Sequence, residues 1–226
     1  MTDKQIETGW MEGFPPPEDK LISVERGNHR SLPQKRWAYS NIQQLVPTKS
    51  IWRGAGAAQA LELKNAGFEQ LTINSLDGRS LTWPEAMEAT DTDAFGVLHQ
   101  GKLVHESYYA ESGPHKPHLI MSCAKSFAGT LAEMMIDEGV LAGETLIPEY
   151  LPELKGTAWE DATLRQVLDM LIGMEFDEDY LNPSSEVYRY LRAGGMVQGK
   201  PGPGEPTHLM EYLVTVKKQG DHGQAF

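Results

Sequence analysis

Two short apolar runs flank a glycine-containing turn in residues 94–110. The first run, AFGVL, begins at Ala94, the second, LV, begins at Leu103, and the letters QGK lie between them at residues 100–102. Apolar runs on either side of such a turn are typical of a β-hairpin. His99 and His105 alternate with apolar positions, so we predict that both lie on a solvated strand face and that neither binds a metal.

A helical period replaces this alternation after the prolines at positions 114 and 117. Apolar residues at Phe127, Leu131 and Met134 share one helix face, which predicts a helix from Ser122 to Glu138 that ends at Gly139. A capping-box pattern, TLRQ at residues 163–166, predicts a second helix that reaches Gly173. Two more helices are predicted, from Ser184 to Gly194 and from Thr207 to Lys218, the last ending on lysines that suit its negative pole.

The first 50 residues have a different character. Tandem prolines at 15–17 and further prolines at 33 and 47 disfavour helix and central strand, and they predict an extended arm. Trp10, Phe14 and Trp37 suggest that this arm wraps a globular body. We therefore predict three parts: the arm (1–50), a sheet-forming part with the hairpin (51–118), and a helical part (119–226). No convincing periodicity appears between residues 51 and 91.

Charge and composition narrow the class of protein. The chain of 226 residues carries 20 basic and 32 acidic residues, a net charge of −12, which argues against nucleic acid or an anionic membrane as a partner. The single cysteine, Cys123, excludes an intrachain disulfide and a cysteine-based zinc site. The sequence shows neither a secretory signal nor an apolar run of 18 residues, so we expect a cytoplasmic protein without a membrane partner.

Ser122 and Lys125 lie three residues apart at the start of the predicted central helix, and this spacing places both on one helix face. Serine can act as a nucleophile while backbone N–H groups of the first turn, its own included, hold the oxyanion. A lysine accepts the serine proton only when it is neutral, which costs about 4.6 kcal/mol at pH 7 and requires a closed cleft. On spacing alone, a serine that caps the helix beside a solvated lysine is the alternative.

The residues that flank Ser122 and Lys125 decide between these two interpretations, because their sequence resembles that of a known family. The stretch LIMSCAKSFAGTLAEMMIDEGVL (119–141) is followed by YLPEL (150–154) and TLRQVLDM (163–170). This order resembles the serine β-lactamase-related hydrolases, which include penicillin-binding enzymes and class C β-lactamases. Within them the branch of 6-aminohexanoate-dimer hydrolases is the most similar, through KRWA (35–38), EDY (178–180) and NPSSEV (182–187).

The resemblance implies a fold and a set of roles. The fold is α/β of the β-lactamase/transpeptidase type, an antiparallel sheet flanked by helices plus a mostly helical subdomain. Ser122 resembles the acylated nucleophile, Lys125 its general base, and Tyr180 a tyrosine that closes on the substrate, against an alternative in which Tyr180 only packs on a loop. Cys123 is expected to be a small buried filler. The implied substrate is a small amide or ester, and no metal or organic cofactor is implied.

One departure from the family bears on activity. Members carry a Tyr-x-Asn or Tyr-x-Ser motif and then a Lys/His-x-Gly strand downstream of the serine, whereas the Tyr-x-Asn at residues 39–41 of this chain precedes Ser122. We therefore expect a truncated fold that is completed by a C-terminal segment or by a homo-oligomer, with little turnover by these 226 residues alone. The alternatives are a non-catalytic ligand-binding or acyl-sensing domain and a purely structural domain.

Overall fold

A computed structural model describes residues 9–199 and 201–224. Contacts group the chain into two compact units, one of Met1–Ser23 with Asn28–Leu119 and one of Val24–Gly27 with Ile120–Phe226. The predicted division at residues 50 and 118 remains a prediction about domains. Among the described residues no helix is both long enough and apolar enough to span a bilayer.

The N-terminal segment is not a purely extended arm, and the prediction is wrong on this point. Helix α1 (Gln34–Ser40) follows Pro33, and short 3-10 turns form at Glu18–Lys20, Asn28–Arg30 and Ile42–Gln44. A proline just before a helix costs no hydrogen bond, because the first helical N–H groups have no partner inside the helix. Trp37 and Ala38 of α1 then pack with Trp10 and Ile22 into a small core.

Residues 68–89 form a compact element that the sequence did not predict. A 3-10 turn (Phe68–Gln70) leads into strands β1 (Thr72–Asn74) and β2 (Ser80–Thr82), which pair antiparallel, and into helix α2 (Trp83–Ala89). Thr82 and Glu85 form a reciprocal capping box that starts α2. Trp83, Ala86 and Met87 of α2 are buried together.

The predicted hairpin is confirmed as β3 (Ala94–His99) and β4 (Lys102–Tyr108). Gln100 and Gly101 have φ angles of 51° and 77°, the two positive values that a type I′ turn requires. His99 is exposed, but His105 is only 3% exposed, so the prediction of a solvated face is wrong for His105. Its ring lies 5.0 Å from that of Phe68 and 5.1 Å from that of Trp83, because α2 and its preceding turn cover this face.

The described part of the second unit has helices and turns as its named elements. Its elements are α3 (Cys123–Asp137), α4 (Ile147–Tyr150), a 3-10 turn (Pro152–Leu154), α5 (Leu164–Leu168), α6 (Glu186–Ala193) and α7 (Leu209–Leu213). Gly139, with a φ of 73°, ends α3 in a Schellman motif, since its N–H reaches Ile136 and that of Val140 reaches Met135. The capping box of Thr163 and Gln166 starts α5 as expected.

Two predicted helices are shorter than expected. Helix α5 ends at Leu168 because Met170 takes a left-handed conformation, with φ of 57°, so Gly173 lies beyond the helix. Helix α7 ends at Leu213, and the chain after it, residues 217–223, hydrogen-bonds to residues 171–175. Lys218 consequently binds Asp161 at 2.5 Å and does not stabilise a helix terminus.

Candidate active site at the start of α3

Ser122 lies at the start of α3, immediately after a residue with unusual backbone geometry. Met121 has a φ of 46°, the left-handed region that non-glycine residues seldom adopt. Ser122 itself is already helical, with φ and ψ of −65° and −12°, and its side chain makes no capping hydrogen bond. A serine that caps a helix has extended backbone angles and accepts from a first-turn N–H. The capping alternative therefore does not describe this residue.

The Ser122 hydroxyl is bonded to Lys125 instead. The Nζ atom of Lys125 donates to the Oγ atom of Ser122 across 2.9 Å, one helical turn along α3. This distance allows a proton to pass between the two groups. In the neutral form of the amine the same contact reverses, with the hydroxyl donating to nitrogen. The pair has the geometry of a nucleophile and its general base.

Fewer backbone N–H groups are free to bind an oxyanion at this helix start than the sequence suggested. The amides of residues 123–125 donate to the carbonyls of residues 120–122 at 2.9–3.0 Å, so three first-turn N–H groups are already engaged. The amide of Ser122 donates to no acceptor within the described parts of the chain. The N–H of Ser122 is thus a backbone group at this helix start that is left to bind a negative charge.

The helix that carries the pair is exposed along its length. Ser122, Cys123 and Lys125 are exposed, and no residue of α3 is buried. The prediction that Cys123 is a buried filler is wrong, because nothing in the described residues covers this side of the helix. The apolar stripe is equally open: Phe127 is 72% and Leu131 58% exposed.

Tyr180 lies in a loop whose backbone is fixed by hydrogen bonds. Its carbonyl accepts from the Tyr188 hydroxyl at 3.0 Å, and the preceding carbonyl, of Asp179, accepts from the Ser185 hydroxyl at 2.9 Å. Asp177 accepts from the amide of Glu186 and so anchors the loop to the start of α6. The ring of Tyr180 is 51% exposed. The ring is therefore presented to solvent on a held backbone.

Tyr180 also begins a second Tyr-x-Asn, with Asn182, which lies downstream of Ser122. The sequence prediction named only the motif at residues 39–41 and missed this one, although its letters are readable. In the described residues no hydrogen bond joins Tyr180 to Ser122 or Lys125. Tyr180 therefore takes no part in the hydrogen bond between Ser122 and Lys125.

A groove of 410 Å³ lies on the same loop. Three carboxylates, those of Glu175, Asp177 and Glu186, are among its lining residues, together with Asn182. Neither Ser122 nor Lys125 lines it. In this chain the groove and the Ser–Lys pair are separate features.

Comparison with known proteins places these features in a family. A family model described as Beta-lactamase matches residues 84–226, which is more than half of the chain and includes α3. The chain belongs to the beta-lactamase family. The prediction of the family from the letters around Ser122 is confirmed.

One curated relative and one solved structure carry similar descriptions. The 6-aminohexanoate-dimer hydrolase of Paenarthrobacter ureafaciens is 33% identical over 195 residues, which cover 86% of this chain and 47% of that protein. A solved structure, "Putative 6-aminohexanoate-dimer hydrolase from Bacillus anthracis", superposes with a TM-score of 0.81 at 23% identity and covers 93% of this chain and 54% of its own. The second shows the β-lactamase/transpeptidase-like fold, as predicted. The chain spans about half the length of each.

A side-chain pair that the sequence did not suggest holds α3 in this family member. The two terminal guanidinium nitrogens of Arg165, on α5, Nη1 and Nη2, donate to the two carboxylate oxygens of Glu133, on α3, and the Nη2 bond measures 3.0 Å. This hydrogen bonding from Arg165 lowers the pKa of the Glu133 carboxyl below its usual value. Two parallel hydrogen bonds between the guanidinium and the carboxylate fix the relative orientation of the two side chains as well as their separation. The capping-box letters contained Arg165, but nothing local pointed to a partner 32 residues away.

A second hydrogen-bond network, around Asp93, holds the chain at His118, four residues before Ser122. Asp93 accepts from Arg36 at 2.6 Å and faces the Nε2 atom of His118 at 3.0 Å, and the other ring nitrogen of His118 faces the carbonyl of Leu119 at 3.0 Å. Both of these partners are acceptors, so the ring donates to both only when it is protonated. Arg36 belongs to the KRWA segment (35–38), one of the segments on which the resemblance to the family rests. The ion pair with Asp93 gives this arginine a structural role.

The described residues contain no group of three or more His, Cys, Asp or Glu side chains arranged to hold a metal ion.

Proposed function

We propose that this chain carries the nucleophile and general base of a serine hydrolase that forms an acyl-enzyme on a small linear amide or a short ester. The observation that carries the proposal is the 2.9 Å contact between Lys125 Nζ and Ser122 Oγ on an uncapped helix start. The name of the 33% identical relative supports a 6-aminohexanoate dimer as the substrate class. The expected location in the cytoplasm stays a prediction.

Each group has one task in the proposed reaction. The Ser122 oxygen attacks the substrate carbonyl while its proton passes to the neutral amine of Lys125. The amide of Ser122 donates to the oxygen that becomes negative. Protonated Lys125 then gives the proton to the leaving amine or alcohol, and an acyl group remains on Ser122. Water hydrolyses this ester in the second half, with Lys125 again taking a proton. Tyr180 is proposed to contact the bound substrate.

The exposure of the pair sets a condition on this reaction. Neutralising a lysine at pH 7 costs about 4.6 kcal/mol, and solvent around an exposed ammonium stabilises the charged form. Ser122 and Lys125 are both exposed among these residues. We therefore expect the 226 residues alone to turn over substrate little or not at all, and the activity to need a cover over α3.

The same exposure supports a second candidate function, a domain that accepts an acyl group or binds a ligand at Ser122 and does not release product. Both candidates use the same nucleophile. They differ in whether deacylation occurs once the site is covered and water is held beside the acyl group.

The test compares turnover in two forms of the protein. The 226 residues, and the same residues joined to the C-terminal part of the Paenarthrobacter ureafaciens relative, are assayed with a p-nitrophenyl ester and with the linear dimer of 6-aminohexanoate. We expect turnover only in the joined form, lost in Ser122→Ala and retained in the matched control Ser126→Ala. Acylation of Ser122 without turnover in the joined form would favour the acyl-binding candidate. Ester hydrolysis by the 226 residues alone that depends on Ser122 would contradict the need for a cover.

A further inference from the structure

One side of α6 supplies hydrogen-bond donors to the loop that carries Tyr180. Ser185, just before the helix, and Tyr188 and Arg192 within it are spaced three and four residues apart, so all three lie on the same side. Each donates from its side chain to a loop carbonyl, in order those of Asp179 at 2.9 Å, Tyr180 at 3.0 Å and Pro183 at 3.3 Å. The loop is therefore fastened to the helix at three points.

The loop needs such bonds because it has no regular structure of its own. Residues 178–184 belong to no helix or strand. Their own hydrogen bonds are short-range, from the Leu181 amide to the Asp179 carboxylate at 2.9 Å and from the Asn182 amide to the Asp179 carbonyl at 3.2 Å. Such bonds close a turn but do not fix it against its surroundings, so the bonds to α6 decide where the turn lies.

Helix α6 is a firm support for these donors. Val187 and Leu191, which lie on another side of the helix, are buried. The Glu186 carboxylate accepts at 3.1 Å from the hydroxyl of Tyr212, a residue of α7 that is only 2% exposed. A helix packed in this way moves little, so its side chains hold the loop carbonyls at fixed positions.

Tyr188 acts on Tyr180 itself, whereas Ser185 and Arg192 bind the carbonyls of neighbouring residues. The ring of Tyr180 is half exposed, so packing does not fix it and its direction depends on the backbone that carries it. A side chain that is already aimed loses less conformational entropy when a ligand binds. Loss of the Tyr188 hydroxyl would therefore weaken any ligand contact that Tyr180 makes.

We propose that Tyr188 is a positioning residue for substrate binding through Tyr180, which rests on the substrate contact given to Tyr180 in the proposed function. Tyr188 need not touch the substrate, because its hydroxyl is bonded to the Tyr180 carbonyl. Its effect is on binding and not on proton transfer, since Tyr180 makes no hydrogen bond to the serine–lysine pair in the described residues. Removal of the hydroxyl should consequently change KM and leave kcat almost unaltered.

The test uses residues 1–226 joined to the C-terminal part of the Paenarthrobacter ureafaciens relative, with the linear dimer of 6-aminohexanoate as substrate. Tyr188→Phe should raise KM about fivefold, the size expected for one hydrogen bond, and should change kcat by less than twofold. The rate at which a fluorophosphonate modifies Ser122 should also stay within twofold. Tyr150→Phe is the matched control: it too removes a hydroxyl bonded to backbone, at Ala142, and it should leave KM unchanged.

Two further measurements separate positioning from a general structural role. In a Tyr180→Ala background, Tyr188→Phe should change KM by less than twofold, because the ring that it aims is gone. Hydrogen exchange of the Leu181 and Asn182 amides should be at least threefold faster in Tyr188→Phe and unchanged in Tyr150→Phe, and this readout needs no turnover.

Three results would overturn the proposal. The first is an unchanged KM or unchanged loop exchange in Tyr188→Phe. The second is an equal rise in KM with and without the Tyr180 ring, which would show that Tyr188 acts on the fold alone. The third is an unchanged KM in Tyr180→Ala, which would remove the substrate contact itself. A joined chain without turnover that depends on Ser122 would instead contradict the proposed function, and the exchange rates would still decide whether Tyr188 holds the loop.

Discussion

Replacing Gly173 by alanine tests how the last described segment is held against the helical unit. A Cβ atom at this position would lie 2.5 Å from the carbonyl oxygen of Gly220 and 2.8 Å from that of Asp221. An ordinary contact needs about 3.4 Å, so the backbone would have to separate by nearly 1 Å. The Gly173 amide donates to Nδ1 of His222 at 3.0 Å, and the Gly173 carbonyl accepts from Gln219 at 3.0 Å. Both bonds would be stretched beyond hydrogen-bonding distance.

The magnitude follows from these two effects. Overpacking costs about 1–3 kcal/mol, and each lost hydrogen bond about 0.5–1.5 kcal/mol. The lower backbone entropy of alanine in the unfolded chain offsets about 0.4–1 kcal/mol. We expect Gly173→Ala to reduce the free energy of unfolding by about 2–4 kcal/mol. With a urea m-value of about 2 kcal/mol/M, the unfolding midpoint should fall by about 1–2 M.

The assay is urea unfolding followed by far-ultraviolet circular dichroism. Gly129→Ala is the matched control, because Gly129 lies inside α3 with open space around its Cβ position. Alanine in a helix interior should raise stability by about 1 kcal/mol. A Gly173→Ala midpoint equal to that of the unchanged chain would refute the close packing of residues 217–223 on this loop.

Three further predictions concern pH and the support of α3. Burial, with the nearby Glu186 carboxylate, raises the pKa of Tyr212 in the folded chain. The free energy of unfolding should therefore fall as pH rises above about 10, by at most about 1.4 kcal/mol per pH unit. Urea unfolding at alkaline pH should show that Tyr212→Phe removes this part of the fall. The hydrogen bond from Lys218 lowers the pKa of Asp161, so the stability that this carboxylate contributes is present near neutral pH and is lost as pH falls below about 4. The free energy of unfolding of Asp161→Asn should therefore decrease less steeply with acid than that of the unchanged chain. An equal decrease in the two proteins would contradict the ion pair. Arg165→Met should change the rate of acylation of Ser122 by less than about threefold. The reason is that the contact between Ser122 and Lys125 lies within one helical turn and needs no tertiary support. A larger loss would show that α5 positions the pair.

Local signals explain what the sequence predicted well. The type I′ turn at Gln100-Gly101, the capping box at Thr163 and the helix stop at Gly139 each depend on a few neighbouring residues. The contact between Ser122 and Lys125 is of the same kind, since a spacing of three residues on a helix is enough to bring the groups together. Helix α2 was not predicted, although Thr82, Pro84 and Glu85 carry a local start signal, because the periodicity of the surrounding residues is weak.

The features that could not be predicted depend on distant residues. The burial of His105 requires α2 and the turn before it, and the early end of α7 requires residues 171–175 as partners for the following chain. The exposure of Cys123 reverses the prediction for a different reason. An apolar stripe predicts that a helix face is covered, but the sequence of one segment does not say which polypeptide covers it.

The serine–lysine pair is tested most directly by the rate at which a fluorophosphonate modifies Ser122. Intact mass and peptide mapping of residues 1–226 joined to the C-terminal part of the Paenarthrobacter ureafaciens relative give the rate and the site. We predict a single adduct on Ser122 that forms about 100-fold more slowly in Lys125→Met, which has no amine to accept the serine proton. An adduct on another serine, or equal rates with and without Lys125, would contradict the assignment of Ser122 and Lys125 as nucleophile and base.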